Sequence, residues 1–207
     1  MGLRDMLTGR HTVKGPAPDR LFAITTAYIT LQAEHNIEPA GSAAIVFQAL
    51  ATSEFEATLR DMEEVVTATG GDSGTTVSTQ DDSYGYRWMV LRNPPGPPSV
   101  EDLAVGINAV SGSIETAGHG ERLLCAVFAF LAPPPAGGAQ KRPLYFIYNY
   151  KRGYWYPFVP AGGRAADADH PGERSTEREL QLKAQMSGEL PIEPELERWF
   201  PLWGIPI

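Results

Sequence analysis

The sequence lacks several features that would place it in a well-defined class of protein. It has one cysteine, Cys125, so no disulfide can form within the chain. No apolar run approaches the roughly 18–20 residues that a membrane-spanning helix needs. The first residues have no long apolar core of the kind found in secretory signals. These absences predict a cytoplasmic protein, with a peripheral contact at the inner face of the membrane left open.

Positive charge is also scarce. The chain has 17 lysine and arginine residues against 25 aspartate and glutamate residues, for a net charge of −8. Nucleic-acid binding needs a basic surface that neutralises phosphates, so this balance argues against a nucleic-acid partner. The 207 residues, 43% of them hydrophobic, suit one globular domain with extensions.

Motifs for catalysis and for metal or phosphate binding are missing too. His11, His35, His119 and His170 have no partner at metal-ligand spacing, and the chain contains no Cys-x-x-Cys. It also contains no Gly-x-Ser-x-Gly elbow and no phosphate loop. Cys125 lies in LLCAVFAF, which is typical of a buried, inert thiol. We therefore expect no catalytic residues, no metal and no cofactor, and retain an unrecognised enzyme or small-ligand-binding protein as an alternative.

The periodicity of apolar residues predicts a mixture of strands and helices. Strands are predicted at Ala27–Glu34, Ala43–Leu50, Thr75–Gln80, Tyr86–Arg92 and Leu123–Leu131. Helices are predicted at Asp19–Thr26, from Ser53 to Gly70, from Ser99 to Gly118 and at Thr176–Gly188. The residues from Asn36 to Gly41 are predicted to form a turn. The expected fold is a single α+β domain, a largely antiparallel sheet with helices on one face, in which Ala43 to Leu131 follow the ferredoxin-like order.

An aromatic hairpin is predicted after these elements. Leu144–Phe158 holds eight of the twenty aromatic residues, in two runs separated by Lys151-Arg152-Gly153. Tyrosine and phenylalanine favour the pleated surface of a sheet, and glycine favours the left-handed position of a tight hairpin connection. The hairpin would give the sheet a rigid surface with hydroxyl groups at its edge.

Two hairpin tips are the leading candidates for a partner-binding surface. The candidate residues are Lys151, Arg152, Tyr150, Tyr154, Trp155, Tyr84 and Tyr86. Tyrosine, tryptophan and arginine are enriched at binding hot spots, and the rings could stack against a cation. If both hairpins point the same way, Asp81-Asp82 and Lys151-Arg152 flank one groove. The alternative is a charged tip whose aromatic residues belong to the core.

The helix that begins at Ser53 is a second candidate. Its outer face carries acidic residues against a single Arg60, which suits a basic partner or simply a solvated surface. The acidic residues are Glu54, Glu56, Asp61, Glu63 and Glu64. An exposed aromatic strand would also permit a homodimer, because an unpaired strand edge invites pairing.

The remaining segments flank the predicted domain at residues 18–160. Residues 1–17 form an N-terminal segment, residues 161–174 a flexible linker, and residues 175–207 a helix and a tryptophan-rich tail that packs on the domain. The N-terminal segment mixes basic and apolar residues, which suits an anionic membrane surface; a docked or frayed short helix is the alternative. Its candidate membrane contacts are Leu3, Arg4, Met6, Leu7 and Arg10.

Six segments resemble, in the same order, the PspA-associated protein PspAB family. They are MGLRDMLTGR, LFAITTAYITLQ, DDSYGYRWMVL, ERLLCAVFAF, YNYKRGYWYPFVP and LPIEPELERWFPLWG. The resemblance implies a non-enzymatic role in the phage-shock (membrane-stress) gene neighbourhood, close to phage-shock protein A and to a membrane metalloprotease often encoded nearby. It supplies no catalytic or binding residues. The leading hypothesis is an adaptor or regulator that acts by protein–protein contact, and the alternative is a membrane sensor that uses residues 1–14.

Overall fold

A six-stranded sheet lies at the centre of the protein, in a computed structural model that describes residues 18–70, 74–134, 139–161 and 172–207. The strands are β1 (Glu38–Gln48), β2 (Thr76–Asp81), β3 (Tyr86–Arg92), β4 (Leu123–Ala132), β5 (Arg142–Asn149) and β6 (Tyr154–Phe158). They lie in the order β2-β3-β1-β4-β5-β6, and every neighbouring pair is antiparallel. A small second sheet pairs β7 (Pro160–Ala161) with β8 (Glu173–Arg174). The predicted α+β class is confirmed, while its ferredoxin-like detail stays a prediction.

Two of the helices begin after a residue whose side chain caps them, Thr52 and Ser99. The helices are α1 (Pro18–Phe22), α2 (Ile24–His35), α3 (Ser53–Gly70), α4 (Val100–Thr116) and α5 (Thr176–Met186), with short 3-10 turns at Gly120–Arg122 and Leu196–Arg198. The hydroxyl of Thr52 accepts a hydrogen bond from the Phe55 N–H at 3.3 Å. The hydroxyl of Ser99 accepts one from the Asp102 N–H at 3.1 Å. Each cap satisfies a backbone donor that the first turn of a helix leaves unpaired.

The strand predicted at Ala27–Glu34 is wrong, because this stretch is part of α2. Ile24, Ala27 and Leu31 are fully buried, and their spacing places them on one face of a helix. Leu31, Gln32, Ala33 and Glu34 suit a helix as well as a strand, so tertiary packing decides the conformation. Asn36 ends the helix in the left-handed conformation, with φ of 53°.

The turn predicted from Asn36 to Gly41 is shorter than expected. β1 already begins at Glu38, and it pairs with β4 on one side and with β3 on the other. The pairing with β4 shifts its register between Pro39 and Ala43. This irregularity accommodates Pro39, which has no N–H to donate to a ladder, and Gly41, whose φ is 74°.

The first core fills the space between the helices and one face of the sheet. α3 and α4 face it with the side chains that the sequence predicted, and all of them are buried. They are Phe55, Leu59, Met62 and Val66 from α3 and Leu103, Ile107, Val110 and Ile114 from α4. Tyr148 and Trp155 from the aromatic hairpin extend this core, and Leu182 and Met186 from α5 join it.

The second core covers the opposite face of the sheet and depends on the end of the described chain. Trp199 stacks on Tyr156 with ring centroids 6.3 Å apart, and Trp203 meets Phe158 edge-on at 5.0 Å. Leu202, Ile205 and Ile207 complete the cover. The tryptophan-rich tail therefore packs on the sheet in an irregular conformation, as a strap. We call residues 189–207 the C-terminal strap.

Candidate partner-binding surfaces

The aromatic hairpin is a structural part of both cores. Its buried rings are Tyr145, Phe146, Tyr148, Tyr150, Trp155, Tyr156 and Phe158. Trp155 packs against Tyr148 with centroids 5.1 Å apart, and its indole N–H donates to the Arg20 carbonyl at 2.7 Å. Of the predicted binding residues, Tyr150 and Trp155 are therefore turned away from solvent and do not contribute to an exposed tip. Alternation along β5 and β6 places the rings of the hairpin on both faces of the sheet. The rings are buried because both faces are covered.

The tip of this hairpin has the geometry that its sequence predicts. The Asn149 carbonyl accepts from the Gly153 N–H at 2.8 Å, and the Asn149 side chain accepts from the Lys151 N–H at 3.0 Å. Gly153 has φ of 68°, the left-handed conformation that residues with a side chain rarely adopt. The connection is thus a tight turn held by these hydrogen bonds, and it projects Lys151 into solvent.

Arg152 is tied to the C-terminal strap. Its guanidinium lies 2.5 Å from the carboxylate of Glu193, which is buried, and 3.3 Å from that of Glu195. The hydrogen bond to Glu193 raises the pKa of Arg152. The Tyr154 ring is contacted by the guanidinium of Arg152 at 5.9 Å and by that of Arg20 at 5.2 Å. The cation stacking predicted for this tip is made within the protein, so Lys151 is the charged group that the tip presents outward.

The β2–β3 hairpin tip is organised by Asp82. One carboxylate oxygen accepts from the N–H groups of Tyr84 and Tyr86, each at 2.9 Å, and the other accepts from the Trp88 indole N–H at 2.9 Å. Gly85 takes the left-handed position with φ of 81°. Tyr84 is 63% exposed and Tyr86 37% exposed. These two predicted residues lie on the surface, and Asp82 serves the turn.

The two hairpin tips lie at the same end of the sheet. β2 and β5 run in the same direction, because an odd number of strands separates them in an antiparallel sheet. Four strand spacings lie between the centres of the hairpins, which gives about 19 Å. The condition set for the predicted groove, two hairpins that point the same way, is met. The charges predicted to flank it are largely used inside the molecule: Asp81 by Arg87, Asp82 by the turn, and Arg152 by Glu193.

The acidic side of α3 is the other candidate surface. Asp61 and Glu64 are exposed on it. Towards the sheet, Glu56 accepts from Arg87 at 3.0 Å, and Arg87 also binds Asp81 at 2.6 Å. The hydrogen bond from Arg87 lowers the pKa of Asp81, and the same bond raises that of Arg87. The sheet-facing acids of α3 are thus partly neutralised, whereas its outer acids face water.

Several polar groups are buried without a hydrogen-bonding partner among the described residues. The hydroxyl of Tyr148 and the Nε of Arg122 are among them. Burial raises the pKa of Tyr148 to about 12. Burial also raises the pKa of Cys125 to about 12, which keeps this thiol protonated at neutral pH. Within the described ranges, no group of three or more potential metal ligands occurs.

A comparison with protein-family models gives a match to PspAB, PspA associated protein B, over residues 1–207. The chain belongs to the PspAB family. The comparison with curated proteins found no match, and the comparison with solved structures found none either. In this PspAB-family chain, the candidate membrane contacts at Leu3, Arg4, Met6, Leu7 and Arg10 lie outside the described residues. Of the helices that the structure does describe, none is long and apolar enough to cross a bilayer.

Two buried carboxylates were missed by reasoning from the sequence. Glu179 lies in the first turn of the helix predicted at Thr176–Gly188, but it is fully buried and binds Arg174 and the Val159 N–H. Glu193 is buried beneath Arg152. Glu193 is 41 residues from Arg152, and Glu179 is 20 residues from Val159, so no local spacing could have revealed these two contacts. Their effect is to hold α5 and the C-terminal strap against β6.

Proposed function

We propose that this PspAB-family protein is a cytoplasmic, non-enzymatic adaptor or regulator of the phage-shock response to membrane stress, and that it acts by binding phage-shock protein A. The observation that carries this proposal is the family match over the whole chain, since the family's description itself names an association with PspA. The structure contributes candidate contact surfaces: the sheet end with Lys151, Tyr84 and Tyr86, and the outer face of α3 with Asp61 and Glu64.

The outer face of α3 is the better supported of the two surfaces. Its acids are exposed, whereas Arg152 at the hairpin tip is ion-paired with a buried carboxylate. Complementary charge raises association rates and orients partners, so an exposed acidic face favours a partner with a basic face. The burial of Tyr150 and Trp155 removes the large contact area that the aromatic tip would have contributed.

A pull-down between the purified full chain and phage-shock protein A tests the proposal. We expect recovery of the complex with the wild-type chain, and a loss of about tenfold in affinity when Asp61 and Glu64 are both changed to lysine. Lys151→Glu tests the hairpin tip without breaking the Arg152–Glu193 pair. Changing the exposed Glu189 and Glu197 together to lysine alters the net charge by the same amount as the α3 pair and is the charge-matched control.

Each outcome has a defined meaning. Absence of binding by the wild-type chain would refute the proposed association with PspA. Binding that is weakened by Lys151→Glu but not by the α3 pair would assign the contact to the hairpin tip. Equal weakening by the Glu189→Lys and Glu197→Lys double control would show a non-specific effect of net charge and would refute both surfaces.

A further inference from the structure

The outer edge of β2 presents backbone hydrogen-bonding groups that no other strand in the described part of the chain uses. In the β2–β3 hairpin the Asp82 N–H donates to the Tyr86 carbonyl, and the register continues without a shift to Thr76. Hydrogen-bonded and non-hydrogen-bonded pairs alternate along an antiparallel ladder. The N–H and C=O groups of Val77, Thr79 and Asp81 therefore point away from β3. Within the described ranges, no strand pairs with this side of β2.

The opposite edge of the same sheet is formed by β6, and several separate contacts cover it. The Trp155 N–H donates to the Pro191 carbonyl at 2.9 Å, and the Trp155 carbonyl accepts from the Glu193 N–H at 2.8 Å. Pro157 has no N–H to expose. The Val159 N–H donates to Glu179 at 2.9 Å. The edge of β6 is thus covered by the C-terminal strap and by α5. The predicted homodimer through an exposed aromatic strand would need a free edge here, and β6 does not provide one.

Of the features that usually prevent pairing, the β2 edge carries one charged residue, Asp81, at its end. Proteins protect free edges with lysine, proline, bulges or a covering segment. β2 has the sequence TVSTQD, without lysine or proline, and its pairing with β3 shows no bulge. Threonine and valine favour the extended conformation. This strand is therefore ready to accept a neighbour, in the way that sheets bind extended peptides.

Charge indicates which neighbour fits. The side chains of Val77, Thr79 and Asp81 lie on the helix side of the sheet, where the Thr79 hydroxyl donates to Glu63 of α3. The side chain of Asp81 is 57% exposed despite its bond to Arg87, and that of Glu56 is 46% exposed. An added strand would place its own side chains beside these carboxylates.

A second copy of the chain is a poor occupant of this edge. A twofold axis perpendicular to the sheet, which pairs two β2 strands antiparallel, would bring both copies of α3 onto the same face of the continuous sheet, side by side. Exposed acids such as Asp61 and Glu64 would then repel each other, with Arg60 as the opposing charge. Like charges brought together in an interface oppose association.

We propose that the β2 edge binds an extended segment of a partner protein that carries lysine or arginine at alternate positions, and that this segment becomes a seventh strand. Its basic residues face Glu63 and Asp81, and its backbone bonds to Val77, Thr79 and Asp81. This inference goes beyond the proposed function, because it concerns a different surface from the outer face of α3 and requires no particular partner. Strand addition at β2 can therefore fail while binding to phage-shock protein A succeeds. Equally, binding to phage-shock protein A can fail while strand addition at β2 succeeds.

The test uses the full chain and a short peptide that alternates lysine with threonine. Amide hydrogen exchange at a saturating peptide concentration should slow by about tenfold or more at Val77, Thr79 and Asp81. Ser78 and Gln80, whose N–H groups already point to β3, should change far less. A peptide that alternates glutamate with threonine is the matched control and should give no protection.

Two substitutions at one position separate backbone pairing from side-chain contact. Thr79→Pro removes the outward N–H at a place where an edge strand tolerates proline, and it should abolish the protection. Thr79→Val keeps the N–H and loses only the hydroxyl, so protection should remain. If Thr79→Pro does not fold, the alternating exchange pattern of the wild-type chain distinguishes backbone pairing from side-chain contact. Uniform or absent protection, equal binding of the glutamate peptide, or a dimer that Thr79→Pro dissociates would each overturn the proposal.

Discussion

Replacing Glu179 by alanine should strongly destabilise the protein. The side chain is fully buried, and its carboxylate accepts from the Val159 N–H at 2.9 Å. The guanidinium of Arg174 lies 2.7 Å from the same carboxylate and also donates to the Trp199 carbonyl at 2.6 Å. Alanine would leave the backbone donor and the arginine without their acceptor, at the place where α5, β6 and the C-terminal strap meet.

The magnitude follows from these two losses. An unpaired buried N–H costs about 1–3 kcal/mol, and removing one partner of a buried ion pair costs about 3–5 kcal/mol. The side chain of Arg174 is 25% exposed, so water can solvate it in part and the two costs do not simply add. We expect a loss of about 3–5 kcal/mol in the free energy of unfolding. In a chain of this length that corresponds to a fall in Tm of about 6–20 °C.

Urea denaturation followed by tryptophan fluorescence measures this loss directly, because Trp155 and Trp199 are both buried in the native state. Glu189→Ala removes an exposed carboxylate just beyond α5 and should change the free energy of unfolding by no more than about 0.5 kcal/mol. Glu179→Gln keeps an oxygen for the Val159 N–H but turns an NH₂ group towards Arg174, so its loss should be intermediate. A change below about 1 kcal/mol for Glu179→Ala would refute the view that this carboxylate holds the end of the chain in place.

Three further predictions concern the cores. Gly106→Ala should destabilise the protein by about 1–3 kcal/mol in urea denaturation, because its Cβ would lie 2.3 Å from Leu91. Gly112→Ala in the same helix meets nothing within 4 Å and should stabilise the protein by about 0.5–1 kcal/mol. A change of the same sign for both variants would contradict this reasoning. Cys125 should react with a thiol reagent at pH 8 only as the chain unfolds, because burial raises its pKa to about 12; rapid reaction of the native protein would count against that burial. Tyr148→Phe should leave Tm unchanged or raise it, since the hydroxyl is buried without a hydrogen bond among the described residues; a fall of several degrees would reveal a missing partner.

Local patterns were sufficient to predict the helices that carry a wide apolar stripe and the hairpins that carry a turn glycine. The cap at Ser99, the buried stripe of α4 and the left-handed Gly153 all follow from spacing within a few residues. The prediction failed at α2, where Tyr28, Ile29 and Thr30 favour a strand but the residues that follow them also suit a helix. There, burial of Ile24 and Leu31 against the rest of the protein determines the conformation.

The candidate surfaces were less predictable because they depend on contacts between distant residues. The sequence places Arg152 at a hairpin tip, but only the fold shows that Glu193 neutralises it. Likewise, the aromatic residues of the hairpin could have faced solvent or the core, and the covering of both faces of the sheet decided for the core. The difference between the open edge of β2 and the closed edge of β6 arises from strand order, which no local motif encodes.

The position of the C-terminal strap has a consequence for synthesis on the ribosome. All six strands of the central sheet leave the exit tunnel before Trp199 and Trp203 do. At that stage helices can cover one face of the nascent sheet, while the face that the strap covers is still bare. Such an intermediate exposes apolar surface and is prone to aggregate. Translation pausing or chaperone binding in this interval would therefore affect the yield of native protein more than a similar event at earlier codons.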